Sequence, residues 1–215
     1  LVICNGKKAF DILSEQGIPE KKLLIGASLR QNFPLPDKKI IKKKDKKLLV
    51  LMPVLLESNI EILDKLINEN IDLKVNIKTH PMFNRDKLLK VMKWENLPSN
   101  WSWEDREVEE ALKDVYCCLT MSTSACFDAI LAGSIVIPLM SELHLEDNAL
   151  DIFEDDYSVV NSITSKQLFT RLNEIFNTRA EYYQSEFVKL KKDIINSFNP
   201  INDTNLNVFL PKIMK

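Results

Sequence analysis

Leu48-Leu49-Val50-Leu51-Met52 is apolar at every position. A strand with one wet face alternates; an unbroken run of this length marks a strand buried on both faces. Pro53 follows it, and Ser58 to Glu69 then carries Ile60, Leu63, Leu66 and Ile67 at three- and four-residue spacing, the stripe of an amphipathic helix. The same alternation continues outward. Leu73–Ile77 predicts a strand, Arg85–Lys93 a helix, Trp101–Trp103 a short strand and Val108–Leu112 a helical turn. Val115–Thr120 predicts a strand, Ser124–Ala132 a small-residue helix stopped by Gly133, and Ser134–Pro138 a further strand. Tyr157–Val160 reads as a last short strand, before helices over Ser165–Phe176 and Ala180–Phe198. Strands alternating with helices in this way predict an α/β fold: a Rossmann-like parallel sheet with helices on both faces, joined by right-handed crossovers.

Upstream, Leu1–Gly6 reads as a strand ending in a turn, Lys8–Gln16 as a helix closed by Gly17, and Leu23–Ala27 as a second apolar run. Between Asn32 and Lys47 the composition changes, with Pro34, Pro36 and seven lysines from Lys38 to Lys47. That composition suits a solvated connector, and it leaves a peripheral contact with an anionic membrane surface open. The expected organisation is therefore an end of a truncated N-terminal domain or interdomain segment (1–31), a lysine-rich linker (32–47), a nucleotide-binding domain (48–199) and a C-terminal tail (200–215). The chain opens on Leu1 rather than Met and reads as a piece of a longer protein.

The bulk numbers exclude some partners. With 215 residues and a net charge of −2, the chain exerts no general pull on nucleic acid. Its apolar runs fall short of the roughly 20 residues that cross a bilayer, and no secretory signal opens it. Cys4, Cys117, Cys118 and Cys126 sit in apolar contexts, with neither metal-ligand spacing nor a disulfide framework. They read as small core residues in a reducing cytoplasm, at the inner face of the membrane if the lysines bind it, and the sequon at Asn202 reads as chance.

Four groups of residues carry chemistry. Ser122-Thr123-Ser124 ends a strand and opens a helix, where unpaired N–H groups and a partial positive charge favour an anion; the hydroxyls can add hydrogen bonds to a phosphate. The structural alternative is simple N-capping. His80, one of two histidines, stands before Pro81 at the tip of another strand, where its ring can donate to a phosphate and neutralise a leaving group. Glu142 follows the Ile135–Pro138 strand, where a carboxylate can accept bonds from a ribose; Glu146, Asp147 and Asn148 are alternatives, as is a solvated acidic loop. Pro53 lies in the loop after the first strand of this domain and would line the crevice near the ribose or base. There is no GxGxxG, no Walker A loop and no metal motif. The acidic clusters at Glu104-Asp105 and Glu154–Asp156 read as solvated faces, and Lys78 as a surface lysine.

In order and spacing, a strand tipped by His80-Pro81, then a strand tipped by Ser122-Thr123-Ser124 before a small-residue helix and a Gly-bounded strand, resembles the C-terminal, donor-binding half of bacterial GT-B glycosyltransferases. The likeness is strongest to the bacterial sialyltransferases and capsule Kdo transferases. It spans roughly Leu48 to Asn177. It implies a nucleotide-sugar substrate, commonly a CMP-sugar, a carbohydrate hydroxyl acceptor, no cofactor and no metal. His80 would contact the donor phosphate and assist departure of the nucleotide, and Ser122, Thr123 and Ser124 would hold the phosphate. The acidic base of the family lies in an N-terminal domain whose acidic-Gly motif is not found here, so this piece alone would bind a donor without completing transfer. The last helix would pack back towards that domain. A UDP-sugar epimerase-like GT-B domain and a non-catalytic nucleotide-binding module remain as alternatives.

Overall fold

The computed structural model describes residues 1–29, 47–68, 73–143, 149–153, 157 and 160–210. The lysine-rich stretch before Lys47, His144, the ribose alternatives Glu146, Asp147 and Asn148, and Glu154–Asp156 lie outside the described residues. In chain order the elements are β1 (Val2–Cys4), α1 (Lys7–Glu15), β2 (Leu23–Ile25), β3 (Lys47–Leu51), α2 (Leu56–Asn68), β4 (Lys74–Lys78), α3 (Arg85–Met92) and β5 (Trp101–Trp103). They continue with α4 (Val108–Ala111), β6 (Cys117–Thr120), α5 (Ala125–Ala132), β7 (Ile135–Pro138), α6 (Leu168–Asn177), α7 (Ala180–Ser197) and α8 (Asp203–Leu206). The chain divides into two compact units, Lys38–Val188 and Leu1–Asp37 with Lys189–Lys215.

The larger unit is built on a five-stranded sheet in the order β5-β4-β3-β6-β7. Every neighbouring pair is parallel. Counted within the sheet this is order 3-2-1-4-5, the doubly wound Rossmann arrangement. The continuous apolar strands follow from their place in it. Leu48 to Leu51 of β3, Cys117 to Thr120 of β6 and Ile135 to Pro138 of β7 are all buried. Val50 pairs with Ile77 on one side and with Leu119 on the other, so β3 is the middle of the core. β4 lies nearer the edge and alternates, with Val75 and Ile77 buried and Lys74 exposed. The helices between the strands pack in pairs, α2 with α3 and α4 with α5.

The helices differ in how they are held. α5 buries Cys126, Phe127, Ala129, Ile130 and Leu131, and ends where Gly133 turns left-handed at φ 104°. α3 is capped by Asn84, whose side chain accepts from the Lys87 N–H at 3.0 Å, and buries Leu88 alone. α6 is preceded by a 3-10 turn, Ser165–Gln167, closed by a capping box between Thr164 and Gln167. This corrects the continuous helix expected from Ser165: the Thr-x-x-Gln box takes the first backbone donors, so regular helix begins at Leu168. Of the short strand expected over Tyr157–Val160, positions 158 and 159 lie outside the described residues; the Val160 N–H donates to the Tyr157 carbonyl at 3.0 Å. Beyond β7 an isolated parallel bridge joins Leu139 and Ile163.

The smaller unit carries a two-stranded parallel sheet, β1 beside β2, with Cys4 buried in it. The C-terminal segment is stitched to it by backbone bonds: Asn199 N–H to Asn5 O at 2.9 Å, Ser28 N–H to Asn199 O at 2.9 Å and Ala27 N–H to Asn205 O at 3.1 Å. A Cβ on Gly6 would stand 2.0 Å from the Ser197 carbonyl oxygen, so glycine is required there by space, its φ of 170° being ordinary extended backbone.

Candidate functional site

Because the five strands are parallel, their carboxyl ends share one edge. The predicted residues all follow those ends: Pro53 after β3, His80 after β4, Ser122, Thr123 and Ser124 after β6, and Glu142 after β7. The chain leaves β3 towards β4 and β5 and returns to β6 and β7 on the other side, so the topological switch point lies between β3 and β6. In open α/β sheets ligands bind in that crevice. The Pro53 and Ser122 loops flank it, and His80 and Glu142 each stand one strand further out.

The β6 loop makes a tight entry into α5. Ser122 is exposed and adopts φ 47°, a left-handed conformation that costs a non-glycine residue about 1 to 2 kcal/mol. Among the described non-glycine residues only Lys93 shares it, as the C-cap of α3. The reversal at Ser122 lets the helix start almost directly off the strand. Thr123 takes the capping work, its hydroxyl accepting from the Ala125 N–H at 3.4 Å. Ser124 is already helical and its side chain makes no capping bond. Thr123 thus supplies a capping hydroxyl and Ser124 does not. The N-terminus of α5, with its partial positive charge, opens at this edge.

The β4 loop is a closed turn. The Phe83 N–H donates to the His80 carbonyl at 2.8 Å across Pro81, and the Met82 N–H donates to His80 Nδ1 at 3.3 Å. An Nδ1 that accepts is unprotonated, so in the neutral ring the proton sits on Nε2, ready to be donated. Arg85, at the start of α3, reaches back with Nε to the Thr79 hydroxyl at 3.3 Å and pairs through Nη1 with Asp105 at 2.6 Å. Its guanidinium lies 4.9 Å from the centre of the Trp103 ring. Lys78 donates to the Arg106 carbonyl at 2.6 Å, tying the ends of β4 and β5 together.

Glu104 corrects the expectation of a solvated acidic pair: it is 4% exposed. Arg106 grips it with two parallel bonds, Nε to Oε1 at 2.9 Å and Nη2 to Oε2 at 2.7 Å, and Asn76 donates at 3.2 Å. The Arg106 side-chain hydrogen bonds pull the Glu104 carboxyl down to about 2 against the opposing effect of burial. Asp105 remains exposed, as expected.

Glu142 is half-exposed, and its carboxylate is engaged from two sides. The Ser165 hydroxyl donates to it and the Lys65 ammonium stands 3.6 Å away, and together these hold its carboxyl below the usual range. The residue that anchors this loop is Glu61 of α2, buried, which accepts from the Ser141 hydroxyl at 2.7 Å and from the Glu142 N–H at 2.6 Å. Pro53 is buried, and its carbonyl accepts from Asn59 Nδ2 at 3.1 Å. Sequence reading missed Glu61 and Arg85. Glu61 sits beside the apolar stripe of α2 and could have been noticed as a carboxylate bordering a buried face, whereas nothing local marks Arg85. Among the described residues no group of three or more His, Cys, Asp and Glu side chains is placed to hold a metal ion.

This parallel sheet, with helices around it and hydroxyl, imidazole and helix-terminus donors at one edge, has the fold of one half of the GT-B glycosyltransferases. No family model matches the sequence, and no curated protein does. Among solved structures the chain is similar to CalG4, the calicheamicin glycosyltransferase, at a TM-score of 0.57 and 15% identity, over 98% of this chain and 53% of that one. It is similar to the glycosyltransferase SnogD from Streptomyces nogalater at 0.52 and 11%, over 82% and 46%. The glycosyltransferase VinC in complex with dTDP matches at 0.50 and 14%, over 85% and 45%. The chain thus spans about half the length of these structures, and at such identities the likeness is one of fold.

Proposed function

We propose that the Rossmann-like domain, residues 48–199, binds the donor of a sugar-transfer reaction, a nucleotide sugar whose phosphate lies between His80 and the Ser122–Ser124 loop. The observation that supports this reading is the placement of His80 and three hydroxyls after strands at the carboxyl edge of one parallel sheet, the hydroxyls at the entry to α5. His80 Nε2–H would donate to a phosphate oxygen, Ser122 and Ser124 would donate to the others, and the α5 terminus would favour the charge. As the acceptor hydroxyl attacks the anomeric carbon, the bond to the nucleotide phosphate breaks and these donors stabilise the departing charge. The acidic base would come from a second domain, of which residues 1–31 form the end. On this reading the donor is a CMP-sugar, the enzyme is sialyl- or Kdo-transferase-like, and its product is surface carbohydrate made in the cytoplasm of a bacterium. No nucleic acid takes part, and the lysines of 32–47 would meet the inner face of the membrane. Glu142 stays a ribose ligand on this reading only if the sugar displaces Ser165 from it, so Pro53 and its loop carry more of that contact.

A second reading is favoured by the VinC match, since that structure holds dTDP: a nucleoside diphosphate donor in place of CMP. A UDP-sugar epimerase-like domain is a special case of it. Thermal stabilisation of the chain by CMP, UDP, GDP and dTDP separates these. A ligand at 100 times its Kd should add about 2.7 kcal/mol to the folded state. Stabilisation by CMP that is lost in His80→Ala and in Ser122→Ala/Ser124→Ala supports the CMP-sugar reading. A preference for a diphosphate selects the second reading. Stabilisation by none, in the full-length protein as well, rejects donor binding and leaves a module without nucleotide function.

A further inference from the structure

We infer that Arg85 is a positioning residue for His80, holding the imidazole as the Nε2–H donor through the turn that carries it; this rests on the reading of His80 as a phosphate ligand. Four contacts brace the Thr79–Arg85 segment, three of them within it. Two have His80 as acceptor, the Phe83 N–H on its carbonyl and the Met82 N–H on its Nδ1. A third is the Asn84 cap on the Lys87 N–H, which fixes where α3 begins. The fourth is the Arg85 Nε–H on the hydroxyl of Thr79, the residue immediately before His80. Arg85 is the member of this set that also reaches β5. Its Nη1 is held by Asp105 at 2.6 Å and its guanidinium lies over the Trp103 ring, both at the tip of β5.

The guanidinium therefore ties the first residue of α3 to the tips of β4 and β5, which are already joined to each other. Its geometry uses the features that distinguish arginine from lysine, a planar fork with donors in two directions and a face that stacks on an aromatic ring. α3 has little else to fix it, since Leu88 is its one buried residue. If the first turn of α3 shifts, Met82 N–H leaves Nδ1, and nothing then specifies which nitrogen carries the proton. Arg85 acts on the ring only through the turn, which is why it is a positioning group and touches no reacting atom in this scheme.

The test reads the proton directly. The chain has two histidines, so His144→Gln leaves a single imidazole, whose nitrogen resonances report the tautomer of neutral His80 by long-range proton–nitrogen correlation. In that background Nδ1 should be the unprotonated nitrogen. Arg85→Lys, which keeps the charge and loses the fork, and Thr79→Val, which removes only the hydroxyl acceptor and keeps the shape, should each raise the Nδ1–H population relative to Nε2–H by about fivefold, the factor that one net hydrogen bond represents. The thermal midpoint should stay near that of the parent, which separates positioning from loss of fold. An Nδ1–H ring in the parent, or tautomer populations unchanged in both variants, overturns the inference. This readout needs no nucleotide. Failure of all nucleotides to bind with the tautomer shift intact rejects the donor-binding reading and leaves the Arg85 clamp standing.

Discussion

Glu104 is the residue whose environment has the plainest consequence for stability. Its carboxyl is held at about 2, against 4.5 for an unperturbed glutamate, chiefly by the Arg106 guanidinium. A carboxylate with a depressed folded-state value stabilises fully above its unfolded value and loses that contribution as pH falls through the folded one. Glu104→Gln should therefore cost about 2 to 3 kcal/mol at pH 7, and the difference from the parent should shrink between pH 4.5 and 2 and vanish below. Chemical denaturation of both proteins across that range checks it; a constant difference would mean that the pair acts through packing alone. The sequence Glu104-Asp105-Arg106 did not reveal this, because three charged residues in a row read as solvent-facing whichever of them turns inward. His80 and the Ser122–Ser124 hydroxyls were legible for the opposite reason: each stands directly after an apolar run, and the end of a buried strand has a fixed place in a parallel sheet. The left-handed turn at Ser122 had no signal, since serine is a poor marker of positive φ.

At the scale of elements, buried strands and one-faced helices announced themselves by pattern, and the exceptions have local causes. The 3-10 entry to α6 came from a capping box hidden inside a segment that otherwise suits a helix. α2 begins at Leu56 rather than Ser58, because the Asn59 N–H bonds back to the Leu55 carbonyl and the Asn59 side chain holds Pro53, drawing Leu56 into the first turn. α3 was legible as a helix but not as a weakly anchored one. Its single buried side chain makes a clear prediction: Leu88→Ala should cost about 3 kcal/mol globally, within the range for a fully buried leucine. It should also raise amide exchange across Arg85–Met92 more than across Ala125–Ala132, where five side chains are buried. Equal acceleration in both helices would show that α3 does not open on its own.

At the scale of the whole molecule, all four cysteines are buried thiols, one in the smaller unit and three in the larger. All four being buried, none should react with an alkylating reagent until the chain around it opens, and burial pushes the Cys118 thiol up to about 12. Cys4 lies in a sheet of two three-residue strands, whereas Cys117 and Cys118 lie in the five-stranded one. Mapping of alkylated peptides over time should show Cys4 modified well before Cys117 and Cys118, by tenfold or more if the two units differ by about 1.4 kcal/mol in opening. Simultaneous modification would show a single cooperative unit. The fold class was legible at this scale from strand–helix alternation alone, while the backbone bonds that hold Lys189–Lys215 with Leu1–Asp37, such as Asn199 to Asn5, leave no mark in composition. The central place of β3 also sets a schedule for synthesis. Leu48 pairs with Val75 on one side but with Cys117 on the other, about seventy residues later. At ribosomal speeds that interval lasts roughly 3 to 14 s. For that time the central strand of the sheet exists with at least one open edge, so the nascent chain, more than the finished one, is the form in need of a chaperone.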